Sequence, residues 1–208
     1  MELAWSTGQQ FDGIWIGSWR SPEDLPRIEA ALLLIKKHSR IHYSRVTRDL
    51  AKVWIRVLLE AWAEYDDALK ACVLDERYVA SASLESLAAT IVHEATHARL
   101  ARCGFGYKED MRSRIESVCH RRELDFAARL PDSADLQHEI ERALERCRAQ
   151  PEFYANDRFR ERKKQAAVEA LRYAQAPEWL IAIALKLRPA ISGLRRVSRS
   201  FRRQERQP

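Results

Sequence analysis

The sequence predicts an α+β domain in which most residues are helical. Three observations carry this. Several segments open on capping residues and run for fifteen or so residues before a glycine or proline stops them. Only short runs are rich in strand formers, and no internal repeat or long linker divides the chain. At 208 residues the chain has the length of one domain of ordinary size plus a tail, read as residues 1–187 and 188–208.

The elements follow in order. Phe11 to Trp19 reads as a short aromatic strand or loop. Ser21-Pro22-Glu23-Asp24 supplies a cap, a first-turn proline and two acids at the positive end of a helix dipole, so a helix runs from there to about His38. Val53 to Leu59 and Ala71 to Leu74 are the strand candidates. Ser81-Ala82-Ser83 caps a helix that continues to about Arg102, where Cys103-Gly104-Phe105-Gly106 ends it. Further helices cover about Glu109 to Leu130, stopped by Pro131; Asp132-Ser133-Ala134-Asp135 to about Ala149; Asn156 to Ala174; and Pro177 to Leu187.

The most informative run is Thr90-Ile91-Val92-His93-Glu94-Ala95-Thr96-His97-Ala98-Arg99-Leu100. Residues four apart lie one above the other on a helix, so the imidazoles of His93 and His97 can converge on one tetrahedral ion. Glu94, next to the first ligand, is then the general base that takes a proton from a water the ion has acidified. Small or apolar neighbours (Ile91, Val92, Ala95, Ala98) suit a helix buried beneath a metal cleft. The expected cofactor is zinc, with a third protein ligand and one position left for water.

Leu100 and Cys103 stand where the longer metzincin pattern has glycine and histidine. The other common source of a third ligand is a glutamate on the following helix, and Glu116 lies nineteen residues beyond His97. This pairing resembles the gluzincins, the group that includes thermolysin-like peptidases, over about Ser83 to Pro131. The resemblance implies a small zincin-like metallopeptidase, with a small sheet packed on the motif helix and a helical C-terminal part. It makes His93, His97 and Glu116 the metal ligands and Glu94 the base of a hydrolase acting on peptide bonds. Glu123, two turns further along the same helix, is the alternative ligand. The run Glu123-Leu124-Asp125-Phe126-Ala127-Ala128-Arg129-Leu130-Pro131 also resembles the end of regulatory peptidases that cleave repressors of mobile elements.

An acyl-transfer site also needs a donor for the oxyanion, and Tyr107 and His120 are the nearest candidates in sequence. Their bland readings are packing over the glycine turn for Tyr107 and a bond to Glu116 or simple exposure for His120. His38, His42 and His138 lack a partner at ligand spacing and read as ordinary surface or satisfied histidines.

The four cysteines (Cys72, Cys103, Cys119, Cys147) form no C-x-x-C pair, which suggests reduced thiols and a cytoplasmic setting rather than a disulfide framework or a cysteine zinc site. The start of the chain does not look like a signal peptide, and the run Trp179 to Leu185 is too short to span a bilayer. The formal net charge is +6, yet Lys186 to Pro208 alone carries eight Lys or Arg against Glu205, which leaves the body near neutral. That tail invites an anionic membrane surface or a nucleic acid as partner, although no helix-turn-helix or aromatic RNA-binding signature accompanies it. The alternative to a peptidase is a zinc-binding regulatory or interaction protein on the same scaffold, recruited through the tail.

Overall fold

A computed structural model describes residues 6–183 except 21, 60 and 174, and the backbone alone at 163. The basic tail and the end of the last helix lie outside the described residues. The fold is α+β, about two-thirds helical, with one mixed sheet of five strands in the order β1-β2-β3-β5-β4.

The first two strands, β1 (Thr7–Phe11) and β2 (Ile14–Ser18), form an antiparallel hairpin. Its turn is Asp12-Gly13, both with positive φ (46° and 85°), the pairing a two-residue hairpin turn favours because its twist matches the strands. The run Phe11 to Trp19, expected as a short strand or loop, thus holds the end of β1, the turn and β2. Trp15 folds flat against its own sheet, and a Cβ added at Gly17 would lie 1.9 Å from its ring, so the indole position requires glycine there.

A 3-10 turn at Pro22–Asp24 leads into α1 (Leu25–His38), and α2 (Arg40–Asp49) follows after Ser39. The two helices carry the chain from β2 to the parallel strand β3 (Lys52–Arg56). The chain then forms the edge strand β4 (Ala63–Asp66), antiparallel to its neighbour β5 (Ala71–Asp75), which in turn is parallel to β3. Side-chain alternation sends Ile14, Ile16, Val53, Ile55, Cys72 and Leu74 into the main core with the helices, and Trp54 and Val73 to the opposite face.

At the end of β5, fully buried Asp75 accepts hydrogen bonds from Leu58 N (2.8 Å), Arg77 N (3.0 Å) and Arg77 Nε (2.7 Å). It thereby caps α3 (Glu76–Ser81) and fixes the chain leaving β3. Ser83 accepts from Ser86 N (3.1 Å) and starts the central helix α4 (Leu84–Arg102). That helix is apolar over much of its circumference, with Leu87, Ala88, Ala89, Ile91, Val92, Ala95 and Ala98 all buried, because it packs against the sheet, α1, α2 and α5 (Glu109–Ala127). Its end is a Schellman turn. Phe105 N donates to Leu100 O and Gly104 N to Ala101 O, each at 3.0 Å, around Gly104 at φ 85°.

Two more helices, α6 (Ala134–Ala149) and α7 (Asn156–Tyr173), complete the body, and the backbone is helical again over 178–183. Glu109, at the start of α5, accepts from Asn156 N (2.7 Å) at the start of α7. Among the described residues no helix is long and apolar enough to cross a membrane.

Candidate metal centre

Side chains from α4 and α5 meet beside the edge strand. His93 and His97, one turn apart on α4, bring their Nε2 atoms within 3.1 Å of each other. The antiparallel partner helix α5 brings in Glu116, with Oε2 3.4 Å from His93 Nε2 and Oε1 3.5 Å from His97 Nε2. Donors about 2.0–2.2 Å from one ion at tetrahedral angles stand roughly 3.3 Å apart, and the two imidazole nitrogens and the Glu116 carboxylate, which meets each ring with a different oxygen, stand at about that spacing.

Glu123 lies two turns beyond Glu116 on the same face of α5, which is why periodicity alone leaves the two equivalent. The structure separates them by the imidazole atom each one reaches. Glu123 Oε2 is 3.0 Å from His93 Nδ1 and 2.8 Å from His120 Nδ1. An ionised carboxylate only accepts, so His93 carries its proton on Nδ1 when neutral and presents the Nε2 lone pair to His97 and Glu116.

Two further groupings have donor atoms close enough to hold an ion: His93, His97 and Cys119; and His93, His120 and Glu123. The second uses His93 from the Nδ1 side, away from His97. Cys119 lies one turn beyond Glu116 and is fully buried. Burial, with Glu116 and Glu94 nearby, pushes its thiol up, which disfavours the thiolate a metal requires. In the sequence Cys119 reads as a reduced thiol outside any cysteine zinc site, because no second cysteine stands near it; its three-residue distance from Glu116 is the signal that points to it.

The electrostatics are those of tightly paired imidazoles and carboxylates. Burial opposes charge on His93, but Glu116 and Glu123 outweigh it and raise its pKa well above the usual histidine range. Burial also works against charge on Glu116, yet His93 and His97 hold it well below the carboxylate range. Glu123 is brought to about 2 against the same burial cost, by His120 and His93. Glu94 is 6 % exposed, and burial raises its pKa while His97 and His93 pull it down. A cation held here would compete with a proton for His93 Nε2.

The site opens into a cleft of about 620 Å³ bounded by β4 (Ala63, Glu64, Tyr65), the end of α4, and the Gly104–Tyr107 loop. His93, Glu94, His97 and Glu116 all line it, as does Phe159 of α7. Tyr107 lines it too. Its ring meets His97 edge-on with centroids 5.7 Å apart, and its hydroxyl donates to Glu116 Oε1. Burial, followed by the charge of Glu116, raises the phenol's pKa, so it stays an O–H donor. His120 does not line this cleft; it packs edge-on to His93 at 4.7 Å and faces a second depression between α3, α4 and α6.

The arrangement brings together His93, Glu94, His97, Glu116 and Tyr107 in one cleft and sets Glu123 and His120 behind it. Buried His, Cys and Glu groups here could hold a metal ion. The chain matches no protein-family model, no curated protein and no solved structure.

Proposed function

We propose that the chain is a zinc-dependent peptidase of zincin type, with His93, His97 and Glu116 as ligands and Glu94 as general base. The observation that carries this reading is the convergence of two imidazole Nε2 atoms and one carboxylate at 3.1–3.5 Å, with a buried glutamate in the same cleft. The donor set suits zinc, a borderline ion that takes histidine nitrogen and carboxylate oxygen in tetrahedral sites. When bound, zinc polarises a carbonyl and lowers the pKa of a water beside it.

The chain's own groups do the rest. Glu123 holds His93 in the tautomer that offers Nε2, a support that raises ligand basicity. Glu94, its pKa raised by burial, is poised to accept a proton from water and to pass it to the leaving amine. Tyr107 keeps an O–H donor in the cleft and is assigned to the oxyanion; His120, outside the cleft lining, is assigned to orienting Glu123. An extended peptide is a fitting substrate, because β4 is an edge strand that borders the cleft and, among the described residues, pairs with β5 alone. Its free side can accept one more strand and lay the scissile bond across the cleft.

The test joins metal content to turnover. The chain purified without added metal should hold about one zinc, and cellular proteins incubated with it should yield cleavage products absent from a Glu94→Gln control. That variant should keep its zinc and lose at least the ~10²–10⁴-fold typical of general base catalysis. Undiminished cleavage by zinc-loaded Glu94→Gln would overturn the assignment of the base. Zinc without any cleaved protein would favour the regulatory reading on the same scaffold.

A further inference from the structure

On the side of α4 away from the cleft, three helices bring arginines together around a small cavity. Arg45 comes from α2, Arg99 from α4 and Arg122 from α5, and the cavity between them has a volume of about 110 Å³. Among the described residues none of the three forms an ion pair with a carboxylate. The two acids nearby are already engaged: Asp49 with Arg48 (2.8 Å) and Arg102 (2.6 Å), Asp125 with Arg129 (3.4 Å). Three clustered guanidiniums repel one another, and such a cluster is stabilised by an anion that all of them can reach.

A second observation points into the same cavity. His42 lines it, is 1 % exposed, and its Nε2 has no hydrogen-bond partner; the nearest acceptor, Asp125 Oδ2, stands at 3.4 Å. Its Nδ1 is 2.8 Å from Ser39 Oγ, which also accepts from His42 N, and we assign the serine hydroxyl hydrogen to Nδ1. The ring proton is then on Nε2, a buried donor without an acceptor. Unsatisfied buried donors are uncommon and call for an explanation.

We propose that His42, Arg45, Arg99 and Arg122 form a binding site for a phosphoryl dianion, free or at the end of a small phosphomonoester. The volume is that of about three or four waters, enough for one tetrahedral oxyanion and too little for a bulky organic group. Arginine forks match phosphate oxygens in pairs, and the His42 N–H supplies a donor to the oxygen directed inward. The dianion bridges α2, α4 and α5, so its occupancy stiffens the same two helices that carry the candidate metal ligands. The site stands on its own residues and does not depend on the peptidase reading.

Phosphorus NMR of the full chain with inorganic phosphate, at ionic strength matched by chloride, tests this directly. Saturable broadening is expected, with a shift of the His42 Nε2–H resonance in a histidine-selective nitrogen spectrum. Arg99→Gln and Arg122→Gln alter exposed side chains and leave the core intact; each should weaken phosphate at least about tenfold, the loss expected for a charge-assisted bond. Phosphoethanolamine in place of phosphate assigns the site to a soluble monoester. Co-sedimentation with phosphatidylcholine vesicles containing phosphatidic acid, lost in the double variant, assigns it to a lipid headgroup. No broadening beyond a chloride control, or equal broadening in the double variant, overturns the proposal.

Discussion

Two histidines, His93 and His42, are buried to similar degrees on opposite sides of α4, at 9 % and 1 % exposure, and their pKa values move in opposite directions. Burial pushes both down. At His93 two carboxylates stand at 3.0 and 3.4 Å, one at each ring nitrogen, and the pKa ends well above the ordinary value. At His42 burial wins and takes the pKa to about 4, because the one carboxylate that raises it, Asp125 at 3.4 Å, makes no hydrogen bond to the ring and Arg45, Arg129 and Arg122 oppose it. Depth in the protein sets the cost of charge; the acceptor within reach sets the sign. The tautomers invert as well. Glu123, which can only accept, fixes the His93 proton on Nδ1 and leaves Nε2 its lone pair, whereas at His42 the proton assigned to Nε2, with Ser39 donating to Nδ1, leaves a donor.

The largest expected effect breaks the His93 side of this comparison. Glu116→Ala removes the carboxylate that stands within 3.5 Å of both Nε2 atoms, and stoichiometric metal binding should be lost. Elemental analysis of the purified variant checks it. Full zinc content would transfer the third position to Cys119 or Glu123.

On the His42 side the effect is on stability against pH. Unfolded histidine binds a proton below about 6.5, folded His42 only below about 4, so the unfolded chain holds the extra proton between those values. Stability contributed by neutral His42 is complete above pH 6.5 and is lost as pH falls through 4, by about 3 kcal/mol in all. Denaturant unfolding in chloride across this range should show that loss in wild type. His42→Asn keeps an acceptor for Ser39 and does not titrate, so its profile should be flatter by that amount. Parallel profiles would mean that His42 is not buried neutral.

How far sequence reaches differs between the two sides for a physical reason. The cleft side rests on one helix and its successor, so i,i+4 spacing and a count from His97 bring His93, Glu94, His97 and Glu116 into view. What spacing does not contain is the azimuth and axial register of α5 against α4, and these decide which glutamate faces Nε2. The arginine side draws single residues from α2, α4 and α5, and the local partner of His42, the capping Ser39, marks a helix start rather than a site. It reads as an ordinary histidine, and the structure instead shows it buried with one nitrogen unsatisfied. The same division holds for the fold. Strands at Val53 and Ala71 carry apolar runs and are legible, whereas β4, with Glu64-Tyr65-Asp66, becomes a strand by pairing with β5 rather than by propensity. The Asp12-Gly13 pair is a local hairpin signal, set inside an aromatic run that by composition reads as one short strand or loop.

A smaller effect separates ligand from support. Glu123→Gln keeps the size of the side chain and loses the charge that orients His93, so metal affinity should fall by the ~10–100-fold typical of such partners, with the ion still bound at stoichiometric loading. Competition with a chelating dye of known affinity measures this. Loss as complete as in Glu116→Ala would make Glu123 a ligand and reverse the roles of the two acids.

The smallest effect moves His42 toward the condition of His93. Arg129 is exposed, pairs with Asp125 at 3.4 Å, and is one of the charges that lower the His42 pKa. Arg129→Gln removes that repulsion and leaves Asp125 free to swing toward Nε2. The exposed pair itself contributes at most about 1 kcal/mol, so the denaturation midpoint at neutral pH should hardly change. The His42 pKa should nonetheless rise from about 4 toward the ordinary histidine value, because the nearest acceptor gains freedom and a positive charge is gone. An NMR titration of the His42 ring protons reads this without depending on stability or on metal. A pKa that stays put or falls would show that burial alone governs His42, and that carboxylate reach does not explain the contrast with His93.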